Sequence, residues 1–304
     1  MNFLKLISLR NLIWIALAQL IFHFGLLKQQ GLSLALQDWQ FFLLLLACVC
    51  IAGGGFLIYA IMDKNTSPTY RSGENGLIKS SFEAKAYNLY ATLNIIGVGI
   101  GFYLSNFIGK ASFAGMFIIV AATLYLYASS LKKNLLVGDI IIAILLALSI
   151  LIVGIYDLLP IITPENQPFL KVLFEIFIDY ASFVFLISFI RELLSDFTTI
   201  ENDLDRGSKT LPIIIGRKNT KIVISVLIAL LVIFTARYSY TYMFANDLYI
   251  ASFYIMALIL APLIYSLIRL WSVSEIKEYN QLNLILKAVM IFGVLSLLVV
   301  EFTK

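Results

Sequence analysis

Charged side chains are scarce in this sequence, and that scarcity excludes a soluble domain. Asp, Glu, Lys and Arg together make up 13% of the 304 residues, whereas 61% are hydrophobic. Soluble domains carry roughly 25% charged residues, so this chain is far more apolar than a soluble domain of any class. The sequence therefore predicts an integral membrane protein.

Cysteine is nearly absent as well, and neither cysteine fits a disulfide or a metal site. Cys48 and Cys50 lie two residues apart inside one apolar run, and that spacing places them on different faces of a helix. We expect both to be packing residues. The formal net charge is +4, which we interpret as a signal of membrane orientation, with no nucleic-acid partner.

Long apolar runs, in contrast, occupy most of the chain. A helix needs about 20 apolar residues to cross roughly 30 Å of hydrocarbon. Runs of about this length lie near residues 11–27, 39–62, 86–107, 113–131, 135–156, 169–190, 222–243, 249–270 and 282–301. They predict an all-α integral membrane protein with about nine transmembrane helices.

The basic residues fall mainly on alternate connections between these runs. Lys and Arg near helix ends are retained on the cytoplasmic side of a membrane. With a cytoplasmic N-terminus, only Lys28, Lys110 and Lys304 lie on the outer side. We therefore expect a cytoplasmic N-terminus, an odd number of helices and an outer C-terminus.

Two of the predicted cytoplasmic loops, at about 63–85 and 192–221, are longer than the other connections. Long loops in a compact membrane protein usually carry function. Each opens with acids at the end of a helix, so we expect the two halves of a single domain, residues 1–304, to deliver one polar loop each to a shared site. The glycine run at 53–55 is interpreted as close helix packing in preference to a phosphate loop.

The second long loop carries an acidic stripe. In the segment RELLSDFTTIENDLDRGSKTLPIIIG, residues 191–216, the acids Glu192, Asp196 and Asp203 stand at i, i+4 and i+11, which is one face of an α-helix. Carboxylates about two turns apart on one face, followed by a basic loop, are the arrangement expected for Mg²⁺ that holds a diphosphate. The alternative is a set of solvated acids that cap the helix end or pair with basic residues of the loop.

This segment resembles the second Asp-rich motif of the UbiA superfamily of intramembrane prenyltransferases. In the geranylgeranylglycerol-phosphate geranylgeranyltransferase-like branch the motif reads roughly REIIKDIEDIEGDxxxGxKTLPxxxG, and Ser195, Thr199 and Asn202 are among the departures here. The resemblance implies nine transmembrane helices around a central cavity. It also implies transfer of a polyprenyl group from an isoprenyl diphosphate to a lipid or aromatic acceptor, in a multi-pass protein that we expect in a bacterial plasma membrane.

The first Asp-rich motif is degenerate. The family pattern NDxxDxxxD aligns with residues 59–67, where only Asp63 keeps an acid and Tyr59, Ala60 and Ser67 occupy the other three positions. Fewer carboxylates predict weaker retention of Mg²⁺. A second hypothesis is therefore a catalytically degraded family member that binds isoprenoid or lipid without turnover.

The resemblance also implies roles for individual residues and Mg²⁺ as the cofactor, because charge that develops on the leaving diphosphate must be neutralised. Catalytic and metal-binding roles fall on Asp63, Asp196 and Asp203, with Glu192 as a further metal ligand. Diphosphate binding is assigned to Lys132, Lys133, Lys209, Arg10 and Asn11. The predicted partners are a polyprenyl diphosphate, a membrane-soluble acceptor and the lipid bilayer.

Two acids inside the sixth apolar run allow a third hypothesis. Glu175 and Asp179 are four residues apart, and ionised groups inside a membrane are costly and usually paired or functional. Arg237 in the seventh run is an available ion-pair partner. The alternatives are a polar acceptor pocket or a proton path, and a path that crosses the membrane would indicate a transporter.

Overall fold

The computed structural model describes residues 8–66, 80–205 and 207–303, so the middle of the first long loop, including Ser67, lies outside the described residues. Within those ranges every regular element is a helix. Nine of the helices are long: α1 Leu9–Gln30, α2 Asp38–Thr66, α3 Ser80–Phe107, α4 Ala111–Ser129, α5 Val137–Asp157, α6 Gln167–Asp205, α7 Gly216–Asn246, α8 Tyr249–Arg269 and α9 Ile276–Thr303.

Eight of these helices, all except α3, are long and apolar enough to cross a membrane. The remaining helix, α3, has 28 residues, which is enough to span, but it carries Glu83 and Lys85 near its N-terminus. The predicted all-helical class is confirmed, and the predicted count of nine agrees approximately with the helices of the described ranges. The chain is thus a multi-pass membrane protein.

The chain divides into two compact units, each built from separate segments. Unit 1 comprises Met1–Gln19, Ser33–Lys133 and Ile152–Phe174, and unit 2 comprises Leu20–Leu32, Asn134–Leu151 and Glu175–Lys304. The first long loop belongs to unit 1 and the second to unit 2. Neither unit is a continuous stretch of chain, and the single domain expected from the sequence stays a prediction.

Glycine allows close packing of α2 against α3 inside unit 1. A Cβ on Gly54 would lie 2.6 Å from Asn94 Nδ2, and a Cβ on Gly97 would lie 2.6 Å from Ile51 Cγ1 and 3.0 Å from the carbonyl oxygen of Ala47. Real Cβ atoms do not approach other atoms so closely, since interiors are already close-packed. The interpretation of the glycine run as a packing feature is confirmed.

Helix α6 in turn is long enough to position the acidic stripe. It has 39 residues, about 58 Å at 1.5 Å per residue, which exceeds the roughly 30 Å of hydrocarbon. It ends in a Schellman motif, in which Gly207 has a φ of 66° and the amide of Ser208 donates to Asp203 O at 2.8 Å. Glycine is favoured at such a left-handed position. The acidic stripe therefore lies on one unbroken helix, as its spacing predicts.

Candidate active site

The acids of the stripe all lie on α6, within unit 2. Asp196 is the most informative of them, because its Oδ2 is buried and has no hydrogen-bond partner among the described residues. Asp203 lies about two turns further along and accepts a hydrogen bond at 2.6 Å from Thr199 Oγ1. Thr199 stands where the family branch has an additional Asp, so a hydroxyl that orients Asp203 replaces that acid.

A fourth carboxyl group, which the sequence analysis missed, joins the stripe. Asp139 lies in the first turn of α5, in the part of α5 that belongs to unit 2. Its charge acts on Glu192, Asp196 and Asp203. One signal was available in the sequence: Asp139 opens the fifth apolar run at the end that we predict to be cytoplasmic, on the same side as Asp196.

Basic and amide groups border these acids within unit 2. Arg191 is close enough to Glu192 for its charge to act on that carboxyl group. The Arg191 Nε donates to Asn283 Oδ1 on α9 at 2.9 Å, so the guanidinium is held in place. Lys209 lies on the connection after α6 and is exposed. Unit 2 thus combines four acids with a fixed arginine and an exposed lysine.

The donor set suits Mg²⁺ that is shared with a phosphate. Within residues 8–66, 80–205 and 207–303, no group of three or more His, Cys, Asp or Glu side chains is arranged to hold a metal ion by itself. Mg²⁺ usually keeps several waters and binds through one or two carboxylates together with substrate phosphates. The unpartnered oxygen of Asp196, with neighbouring acids in electrostatic range, meets that requirement. Asp196, Asp203, Asp139 and Glu192 are the residues that would hold such an ion.

The predicted residues of unit 1 are arranged differently. Lys132 Nζ lies 2.9 Å from Asp63 Oδ1 and 4.4 Å from the ring centroid of Tyr59. The structure therefore brings together two residues to which the sequence analysis gave separate roles, metal binding for Asp63 and diphosphate binding for Lys132. The side chain of the neighbouring Lys133 lies outside what the structure describes.

Arg10 and Asn11 also belong to unit 1 and lie in the first turn of α1. The Arg10 side chain is exposed, and the backbone amide of Asn11 donates to Ser8 O at 2.7 Å. Their assignment to the diphosphate stays a prediction. The acids near the C-terminal end of α6, in contrast, interact with one another, and one of them, Asp196, has a buried carboxylate oxygen.

One of the two intramembrane acids, Asp179, lines a small cavity of unit 2. About 360 Å³ of empty space, counting the part that is open to the outside, is bordered by Asp179, Tyr180, Thr235, Tyr238 and six apolar or small residues of α6 to α9. Neither Glu175 nor Arg237 lines it. Arg237 is exposed, and among the described residues no ion pair joins it to either acid. The arrangement gives no support to a charged path of the kind that a transporter needs.

Comparison with known proteins identifies the family. The model of the UbiA prenyltransferase family matches residues 37–287. The chain belongs to this family. The family prediction made from the sequence motifs is thereby confirmed.

Two relatives of this UbiA-family chain are digeranylgeranylglyceryl phosphate synthases. The one from Sulfolobus acidocaldarius is 31% identical over 204 residues, which are 66% of this chain and 66% of the relative. The one from Sulfurisphaera tokodaii is 26% identical over 236 residues, covering 75% of this chain and 76% of the relative. The first alignment thus spans slightly under two thirds of the relative's length.

Two solved structures share the fold. One, from work on a digeranylgeranylglyceryl phosphate synthase in membranes, has a TM-score of 0.66 at 20% identity and covers 99% of this chain and 98% of that chain. The other is a UbiA homologue from Archaeoglobus fulgidus bound to DMAPP and Mg²⁺, with a TM-score of 0.59 at 15% identity and coverage of 98% and 99%. Both likenesses show the fold of this chain.

Proposed function

We propose that this chain is an Mg²⁺-dependent intramembrane prenyltransferase, which transfers a polyprenyl group from an isoprenyl diphosphate to a membrane-soluble acceptor. Membership of a prenyltransferase family supports the reaction class. The homologue bound to DMAPP and Mg²⁺ supports the kind of donor and the metal. The names of the two relatives support a lipid acceptor of the glyceryl phosphate type over an aromatic one.

The observation that carries the proposal is the buried, unpartnered Oδ2 of Asp196. A buried polar atom without a hydrogen bond costs about 1–3 kcal/mol, and more when it is charged. The repulsion from Asp139, Glu192 and Asp203 adds to that cost. A bound divalent cation would remove both costs, and this supports a cation at Asp196.

The proposed reaction needs little covalent chemistry from the protein. Mg²⁺, when bound, would neutralise the negative charge that develops on the leaving diphosphate. The bond between C1 of the prenyl group and the diphosphate oxygen breaks with its electron pair on the diphosphate, while the acceptor atom bonds to C1 and releases a proton. Asp196, Asp203 and Asp139 would hold the cation, Thr199 orients Asp203, and Lys209 would bind phosphate oxygens as a point charge.

Location and orientation are part of the proposal. The relatives are from archaea, so the bacterial plasma membrane expected from the sequence stays a prediction. We propose that the acids at the end of α6 face the cytoplasm, because the basic residues concentrate on that side of the predicted topology.

Diphosphate release tests the enzyme proposal. Purified protein in detergent, supplied with Mg²⁺ and geranylgeranyl diphosphate, is expected to release diphosphate slowly without an acceptor, because water traps the allylic cation. Asp203→Ala removes a metal contact of the transition state and should lower the rate about a hundredfold, since each 1.36 kcal/mol is tenfold in rate. Asp205→Ala is the matched control: it removes an exposed acid of the same helix end and should keep the wild-type rate.

The same measurement distinguishes the enzyme from a catalytically degraded protein that only binds isoprenoid. The acids missing from the first motif are the direct argument for that second hypothesis. A binding protein would retain geranylgeranyl diphosphate in wild type and in Asp203→Ala, with background release in both. If the wild-type protein releases diphosphate, and this release requires Asp203 but not Asp205, the binding-protein hypothesis is excluded in favour of the transferase.

A further inference from the structure

A partly buried ion pair occupies the degenerate first motif. Lys132 Nζ and Asp63 Oδ1 are 2.9 Å apart, and the exposed fractions of the two side chains are 10% and 24%. The two residues are 69 positions apart in sequence, and both belong to unit 1. A charge-assisted hydrogen bond of this length is a strong contact, so the lysine is held at a defined position.

An aromatic pair supports the same ammonium. Lys132 Nζ lies 4.4 Å from the centroid of the Tyr59 ring, within the range in which a ring face attracts a cation. Tyr59 is itself stacked on Tyr127, with ring centroids 6.0 Å apart and an interplanar angle of 20°. Tyr59 stands where the family pattern has Asn, so a ring that holds a cation replaces an amide at this position.

This arrangement does not fit a metal ion. Mg²⁺ demands oxygen ligands in a near-octahedral arrangement, and Asp63 already binds the ammonium of Lys132. Ala60, at the family's neighbouring acid position, carries no oxygen on its side chain. A divalent cation at Asp63 would have to displace the ammonium or be repelled by it.

We propose that Lys132 takes the place of a metal ion at the first motif, so that its ammonium, held by Asp63 and Tyr59, binds phosphate oxygens of the isoprenyl diphosphate directly. Asp63 is then a positioning residue and not an Mg²⁺ ligand, which differs from the role implied by the family pattern. This inference rests on the proposed function, because it concerns the same substrate.

Counting bound metal tests the inference without relying on turnover. The probes are Mn²⁺, followed by electron paramagnetic resonance, and geranylgeranyl thiodiphosphate as an unreactive substrate analogue. Asp63→Asn is expected to keep the wild-type number of Mn²⁺ ions bound per chain in the presence of the analogue, whereas Asp196→Ala should lose bound Mn²⁺. A loss of bound Mn²⁺ in Asp63→Asn would make Asp63 a metal ligand and overturn the inference.

Affinity for the analogue tests the role of the ammonium. Lys132→Met should weaken binding of the analogue at least tenfold, and Lys132→Arg should restore it, because the positive charge returns. Lys85→Met, which removes an exposed lysine of unit 1, is the control and should bind as wild type does. The double variant Asp63→Asn/Lys132→Met removes both charges, so it avoids an unpaired acid and should still show the loss.

The outcomes separate this inference from the proposed function. Wild-type affinity for the analogue in Lys132→Met, or in the folded double variant, overturns the inference and leaves the enzyme proposal standing. Wild-type protein that binds neither Mn²⁺ nor the analogue, or an Asp196→Ala variant that keeps all its Mn²⁺, overturns the proposed function itself.

Discussion

Asp139 alters the description of the acidic site more than any other single residue. Its family-motif neighbours on α6 are recognisable from their spacing along one helix, but Asp139 reaches them from the first turn of a different helix. Helical periodicity describes one element at a time, so it cannot find a partner on another helix. With Asp139 included, the candidate site of unit 2 has four acids despite the replacement of the middle Asp of the second motif by Thr199.

Asp139→Asn is expected to reduce the affinity for Mg²⁺ about tenfold, close to 1.4 kcal/mol, since affinity follows the charge and number of the ligands. The substitution also relieves repulsion with Asp196, so the protein without Mg²⁺ should melt no lower than wild type. The rise in melting temperature on adding Mg²⁺, which reports binding to the folded state, should shrink. A thermal melt in detergent across a Mg²⁺ titration measures both effects.

The control for this prediction is Asp205→Asn, which removes an exposed acid at the end of α6. Its melting temperature and its response to Mg²⁺ should equal those of wild type. An Mg²⁺-induced rise that is as large in Asp139→Asn as in wild type would remove Asp139 from the site.

At the scale of helices, the sequence predicts the positions of the helices better than it predicts the contacts between them. The apolar runs locate the nine long helices because a hydrocarbon layer fixes their length, and the i, i+4, i+11 spacing of the acids correctly extends α6 beyond its apolar part. The pairing of Lys132 with Asp63 was not predictable, because the two residues lie on separate elements and each one alone matches a family role. Contacts between distant segments depend on helix packing, which periodicity does not encode.

Gly97 offers a test of that packing within unit 1. Gly97→Ala on α3 should lower stability by about 1–3 kcal/mol, the usual cost of overpacking, because the new Cβ would meet Ile51 and the backbone oxygen of Ala47 on α2. The Ala47 carbonyl cannot turn away without moving α2. The apparent melting temperature in detergent measures the loss.

Gly99, one half-turn further along α3, provides the matched control. A Cβ at Gly99 would meet nothing within 4 Å, and alanine is favoured over glycine inside a helix by about 0.5–1 kcal/mol. Gly99→Ala should therefore be as stable as wild type or slightly more so. Equal melting temperatures for the two variants would contradict the close approach of α2 and α3.

For the whole molecule, the sequence predicted two halves that each carry one polar loop, and the structure divides the chain in a less simple way. Each unit does contain one of the long loops, but α1, α5 and α6 each contribute residues to both units. The sequence could not reveal this division, since lipid is as apolar as a leucine side chain and burial in a membrane does not specify the neighbouring helix.

Orientation in the membrane is a further prediction for the whole molecule. The connection before α6 is expected outside and the connection between α8 and α9 inside, because basic residues are retained in the cytoplasm. Single cysteines at Glu165→Cys and Ser272→Cys, both exposed positions, report the two sides once Cys48 and Cys50 are replaced by alanine. A membrane-impermeant maleimide should label the first in intact cells and the second only after permeabilisation.

The two cysteine positions together also test whether α6, α7 and α8 all cross the membrane, because these three helices lie between them in the sequence. If all three helices cross the membrane, the two sites face opposite sides whichever way the protein is inserted. Labelling of both sites from outside would mean that one of the three helices does not span. If only Ser272→Cys is labelled from outside, the protein is inserted the other way round. The acidic end of α6 then lies on the outer side, and the proposed cytoplasmic placement of Asp196 and Asp203 is wrong.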